Sequence, residues 1–175
     1  LCNHCANPIC IENCPVDEME ALHTFPDGSK MKYKKRATYQ RPDGVVLIDQ
    51  DRCIGCGACV NDCPYGVRYL DPVKAAGGEP TLKAADKCSF CEHRLEAGIA
   101  PSCVNTCQGR ARVAGDLNDP TSDISRLIAS NNTRVLRPEL KTDPRCYYIG
   151  LEEDFYAQIA EPNKMNKATL AYREG

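Results

Sequence analysis

CIGCGACVNDCP, residues Cys53 to Pro64, sets four cysteines within eleven residues and closes them with a proline. Two more groups share its character: LCNHCANPICIENCP from Leu1 to Pro15, and CSFCEHRLEAGIAPSCVNTC from Cys88 to Cys107. Together they hold twelve of the thirteen cysteines, and only Cys146 stands apart. Composition explains why a fold would need them. The 175 residues suit one domain, or two small ones sharing a core. Apolar content is 42%, but falls to about 35% once cysteine is set aside, with 3 Phe, no Trp, 12 Gly and 12 Pro. Such a chain builds a meagre hydrophobic core, so other bonds must hold it.

Disulfides and metals are the two candidates. A bridge inside a C-x-x-C closes so short a loop that it stabilises little, whereas thiols clustered at two- to four-residue intervals suit ligation. Zinc needs four N or S ligands, and Cys88, Cys91, Cys103 and Cys107 satisfy that pattern alone. Cys53, Cys56, Cys59 and Cys63 do not do so comfortably. Their spacing, C-x2-C-x2-C-x3-C-P, is the bacterial ferredoxin run for a [4Fe–4S] cubane. Three cysteines at two-residue gaps wrap a tight turn, which Gly55 and Gly57 suit, so that three thiolates reach three irons of one cube. Pro64 then turns the chain away, which fits Cys63 reaching the other cluster of a pair.

The first group, Cys2, Cys5, Cys10 and Cys14 before Pro15, is the same run with two residues added between its second and third cysteines. Because Cys-Pro closes both groups, a crossed arrangement is expected. One cluster would take Cys2, Cys5, Cys10 and Cys63, and the other Cys53, Cys56, Cys59 and Cys14. Two self-contained motifs are the alternative. The third group has eleven residues between its pairs and Gln108 in place of proline. Its spacing is open between zinc and iron–sulfur, and its company favours iron–sulfur. If crossing extends to it, Cys88, Cys91 and Cys103 need a fourth ligand from a motif outside this sequence, which Cys107 would serve in return. The sequence begins one residue before its first ligand-type cysteine, so the expectation is a chain that extends upstream. About three clusters are expected per chain as given, and a fourth with such a motif.

The order of groups, with NHCANPIC in the first and CSFCEHRLEAGIAPSC in the third, resembles the iron–sulfur electron-transfer subunits of molybdopterin oxidoreductases of the dimethyl sulfoxide reductase family. RLEAGIAPSCVNTC, ARVAGDLNDP and VLRPELKTDPRCYYIGL look most like the tetrathionate, arsenate and polysulfide reductase branch. The resemblance covers roughly residues 1–151. It implies four cysteine groups and four clusters, of which those present would be the second, third and fourth. It also implies a molybdopterin catalytic partner, with a membrane quinol-binding subunit or a soluble carrier on the other side. The extracytoplasmic face of the membrane is the location it favours, with the cytoplasm as alternative. The stretch between Cys14 and Cys53 is longer than the family usually has there.

The expected fold class is α+β, a ferredoxin-like multi-cluster domain over residues 1–114 with short hairpins and helices around the clusters. Asp17–Arg36 is an insertion whose basic run, KMKYKKR, is read as a solvated loop or partner-facing surface. Nucleic acid is not its partner, since the chain is net acidic at −2 and the run is short. ATYQRPDGVVLID reads as a β-hairpin around a Pro-Asp-Gly turn, with Val45 and Leu47 on one face and Val46 and Ile48 on the other. Residues 115–151 should pack on this domain. They comprise a short helix capped by Ser122, with Ile124, Leu127 and Ile128 as its stripe, and an extended segment from Val135 kept out of helix by Pro138 and Pro144. The polar tail, 152–175, is expected to wrap a partner.

No apolar run approaches the length of a membrane span. Cys146 is read as a buried structural thiol, and His4, His23 and His93 as surface groups or supports behind the ligands. Pro8, Ile9, Pro15, Ile54, Val60, Pro64, Tyr65, Ile99 and Pro101 are expected to keep water off the clusters. Arg52, Arg68, Lys87 and Arg94 are candidates for tuning cluster potentials, with ordinary surface charge as the alternative. No nucleophile with a base and no phosphate loop is visible, so the expected function is electron transfer without catalysis. A free-standing polyferredoxin, a ferredoxin-like subunit of a hydrogenase or formate complex, and a zinc-held interaction module are the alternatives.

Overall fold

The computed structural model describes residues 1–151. Its regular elements are short, and among the described residues every sheet is a pair of antiparallel strands. In chain order they are α1 (Ile9–Glu12), β1 (Met19–Thr24), β2 (Lys30–Lys35), β3 (Thr38–Gln40), β4 (Val46–Ile48) and α2 (Ala58–Asn61). Then come β5 (Tyr69–Ala76), β6 (Glu79–Asp86), α3 (Glu92–Glu96), α4 (Ser102–Asn105), α5 (Asp123–Ser130), β7 (Thr133–Arg134) and β8 (Tyr148–Ile149). No helix among the described residues is long and apolar enough to cross a membrane.

One device recurs three times. Cys10 on α1, Cys59 on α2 and Cys103 on α4 each sit in a single helical turn, and Cys14, Cys63 and Cys107 follow just beyond the helix end. Proline opens α1 and α4, supplying a preset φ where the first N–H needs no helical partner. Gly57 stands at the start of α2 instead, its φ of +74° a left-handed conformation that favours glycine. The residues ending α1 and α2 meet, as Asn13 Nδ2 donates to Asp62 Oδ2 (3.0 Å). The first two cysteine groups are thereby locked side by side.

The hairpins cover this pair. In the β3–β4 turn, Gly44 N–H donates to Arg41 O (2.8 Å), and Asp43 Oδ1 accepts from Val45 N–H (3.1 Å). Val45, Val46 and Leu47 are all buried, so the strand is covered on both faces rather than presenting one apolar and one open side. The basic run is not a loop: Lys30–Lys35 is β2, paired in register with β1 from Met19↔Lys35 to Thr24↔Lys30. Arg36 anchors the base of that hairpin by donating to Cys14 O (2.7 Å). The β5–β6 hairpin was not expected. It turns on Gly77 and Gly78, both at positive φ, and brings Ala76 opposite Glu79.

The core is as meagre as composition implies. Its main cluster is Cys14, Ala37, Cys53, Cys59, Ala76, Ala84 and Ala85, all small. Ser122 caps α5 by accepting from Ser125 N–H (3.2 Å), and Ile124, Leu127 and Ile128 are half-buried. Beyond it the chain is less extended than expected, because Pro138–Leu140 forms a 3-10 turn between left-handed Arg137 and Lys141. Residues 142–145 then zip to the N-terminal loop: Ala6 N–H donates to Asp143 O, Asn7 N–H to Thr142 O, and Arg145 N–H to Asn3 O. The tail expected to wrap a partner lies outside the described residues.

Candidate metal centres

Twelve cysteines are called ligands by their spacing, and the fold sorts eight of them into two cavities. The first, about 350 Å³, is lined by Cys2, Cys5 and Cys10 of the first group and by Cys63 of the second. The second, about 300 Å³, is lined by Cys53, Cys56 and Cys59 together with Cys14 of the first. The exchange follows from the repeated helical turn. Each third cysteine sits on its own helical turn, and Cys14 and Cys63 directly follow the Asn13 and Asp62 that join the two turns.

Loop geometry demands glycine at one place above all. Gly55 has φ +68°, and a Cβ there would come within 2.9 Å of Lys83 O on β6. Backbone donors approach the sulfurs. His4 N–H donates to Cys2 Sγ (3.5 Å), Ala85 N–H to Cys53 Sγ (3.5 Å) and Ala111 N–H to Cys107 Sγ (3.2 Å). Burial pushes the Cys10 thiol up to about 11 even with Arg68 opposing it, and raises Cys5 as well. Thiols so placed stay protonated at neutral pH unless a metal displaces the proton.

Two features of the donor set show what fits. Among the described residues, no three Cys, His, Asp or Glu side chains come close enough to hold one metal ion. In each of the two cavities four thiols line a void, which suits an extended cluster. Asn3 Nδ2 and Arg68 Nη2, in the wall of the first cavity, are buried donors without a protein partner. Unpaired buried donors beside four thiols suit an extended anion such as a thiolate-bound iron–sulfur cluster.

A comparison with protein families decides the matter: residues 1–117 match the model of the 4Fe–4S dicluster domain. The chain belongs to that family. The dicluster chain is also similar to a tetrathionate reductase subunit of Salmonella typhimurium, at 41% identity over 161 residues, covering 91% of this chain and 54% of that one. A putative dimethyl sulfoxide reductase iron–sulfur subunit of Halobacterium salinarum is 38% identical, over 86% of this chain and 54% of its own. The arsenate respiratory reductase iron–sulfur subunit of Shewanella sp. is 33% identical, over 85% of this chain and 73% of its own. The dicluster chain thus spans about half the length of the first two relatives.

Other expected site residues divide. Cys88 and Cys91 precede α3, with Phe90 and Cys91 in the left-handed region, while Cys103 and Cys107 belong to α4 and its end. All four thiols are half-buried. Pro8, Ile9, Pro64 and Tyr65 line the first cavity, and Pro15 and Ile54 the second. Val60 packs on the core and Pro101 is buried, but Ile99 is 45% exposed and lines neither cavity. His4 is no surface group. It is buried, its Nδ1 accepts from Val46 N–H (3.0 Å), and burial beside Lys87 and Arg68 pushes its pKa down to about 3. His23 packs edge-on against Phe25, and His93 is exposed. Cys146 is half-buried beside Tyr148, less enclosed than expected.

Of the candidate tuning cations, Arg68 and Lys87 are buried. Arg52 and Arg94 instead hold backbone, Arg52 donating to Asp17 O (2.6 Å) and Lys35 O (3.1 Å), and Arg94 to Ala100 O (2.8 Å). Asn3, Thr38 and Thr142 line the cavities without having been singled out from the sequence. Asn3, beside Cys2 in the first motif, carried the one available signal. Thr38 and Thr142 carried none, since each arrives from a distant segment.

Proposed function

We propose that this chain is the electron-transfer subunit of a reductase complex. It holds one [4Fe–4S] cluster on Cys2, Cys5, Cys10 and Cys63 and another on Cys14, Cys53, Cys56 and Cys59. The observation that carries the reading is the sorting of those eight thiols, three from one group and one from the other, into each of two neighbouring cavities. Clusters bound there supply one-electron redox chemistry. The chain's own residues do the rest. Eight thiols hold iron, Pro8, Ile9, Pro64 and Tyr65 restrict water at the first site, and Pro15 and Val16 do so at the second. Asn3 and Arg68 offer donors to the negative charge.

Cys88, Cys91 and Cys103 are proposed as ligands of a third cluster whose fourth ligand comes from another motif, with Cys107 serving that motif's own cluster. The named relatives are subunits of tetrathionate, dimethyl sulfoxide and arsenate reductases, which supports a catalytic molybdopterin subunit as partner. A quinol-linked membrane subunit or a soluble carrier completes the path. Anaerobic iron and sulfide analysis with a visible spectrum tests the reading. About eight irons for the two described cavities, or about twelve with the third group filled, and dithionite-bleached absorption are expected. Zinc without that absorption ends it. A co-purifying large subunit containing molybdenum tests the partner.

A further inference from the structure

Arg68 is 5% exposed and lines the first cavity. Its Nη1 donates to Thr38 Oγ1 (3.2 Å), and Thr38 lines the second cavity. The guanidinium therefore occupies the wall between the two thiol sets. Its Nη2 is buried and meets no protein acceptor. Cys10 and Cys2 of one set and Cys59 of the other lie near enough to interact with it.

Lys87, the other buried cation, provides the contrast. Its Nζ is taken by two carbonyls, Val46 O and, at 2.8 Å, Cys88 O. Arg68 donates to the Thr38 hydroxyl and is held by the Cys59 thiol, while its Nη2 meets no protein acceptor. A buried cation with a free donor is costly unless anions complete it. A planar fork with donors on both edges can serve two anions at once, which a lysine ammonium does less well.

We propose that Arg68 is a positioning residue shared by the two clusters, a fixed charge that raises the reduction potential of both and lessens their mutual repulsion. The inference rests on the ligation proposed above. Adding an electron increases the negative charge of a thiolate-bound cluster, so a nearby cation favours the reduced form. In a wall of low polarity that effect reaches both sides. Two anions packed together would otherwise make each other's reduction harder, and a cation between them offsets this.

Anaerobic potentiometric titration followed by electron paramagnetic resonance, on the purified holoprotein and its Arg68→Gln and Arg68→Lys variants, tests the idea. Iron and sulfide are measured in each. With iron retained, Arg68→Gln should lower two midpoints, each by at least a tenfold change in reduced-to-oxidised ratio, about 59 mV for one electron. Any further midpoints should stay in place, and Arg68→Lys should recover more than half of both shifts. One midpoint moving alone, none moving, or Gln and Lys moving them equally would overturn the proposal. Should Arg68→Gln fail to hold iron, retention by Arg68→Lys supports the role of charge, and loss from both variants overturns it. Wild-type protein without iron would bring down the ligation reading itself. Iron-replete wild type with unmoved midpoints in Arg68→Gln would bring down this inference alone.

Discussion

In the proposed ligation, Cys63 and Cys14 each close a run whose cluster they do not serve. If the crossed sets are right, paired substitutions must be non-additive in iron. Cys10→Ser with Cys63→Ser removes two ligands of one cluster and should cost about four irons, whereas Cys59→Ser with Cys63→Ser should cost about eight. Self-contained motifs predict the reverse, so iron content of the two double variants decides between them. A second residue-scale prediction concerns pH. Burial pushes the Asp43 carboxyl up, but the Arg41 guanidinium and the Val45 N–H outweigh it and hold it below its ordinary value of 3.8. A lowered carboxylate pKa adds stability above the unfolded value, and that stability is lost as pH falls through the folded one. Asp43→Asn should therefore melt below wild type at pH 6, with the gap closing as pH falls beneath 3.8. Thermal unfolding across that range measures it. An unchanged gap would mean that Arg41, which also pairs with Glu96 (2.7 Å), needs no charge at Asp43.

At the scale of elements, equal-looking substitutions should separate. Gly55→Ala must place a Cβ 2.9 Å from a β6 carbonyl with φ at +68°, so loop and hairpin cannot both keep their positions. A cost of about 1–2 kcal/mol is expected from the backbone alone, with iron lost from the second cavity. Ser122→Ala removes the cap of α5, about 1 kcal/mol, at a residue that lines neither cavity, and should leave iron unchanged. Melting and iron analysis of both variants check the contrast. The same elements show what the sequence made legible. Cysteine spacing, the Pro-Asp-Gly turn and the Ser122 cap act within a few residues, so all could be read locally. The KMKYKKR strand could not, because its three outward lysines mask a pairing with β1 that also depends on Ala21 meeting Tyr33. Tyr69–Asp86 hid for another reason: only its Gly77–Gly78 turn was a local signal, and its strands lack a regular apolar alternation.

On the scale of the whole molecule, the cysteines are the core. Besides them the buried cluster is alanine, and among the described residues the larger buried apolar side chains are Val45, Val46 and Leu47 on one hairpin and Leu151 apart from it. Alanine burial recovers little hydrophobic free energy per residue, while ordering each residue costs about 1–2 kcal/mol of backbone entropy. Iron–thiolate bonds must supply the difference, as they do wherever a metal site and a small core fold together. Folding and cluster retention are then one transition. Heated anaerobically, the protein should lose its visible absorption and its far-ultraviolet circular dichroism at the same midpoint. Oxidative removal of iron with a chelator should abolish both at room temperature. If the apoprotein keeps its dichroism and a cooperative melt, the hairpins hold the fold by themselves, and the clusters are passengers in a scaffold that stands without them.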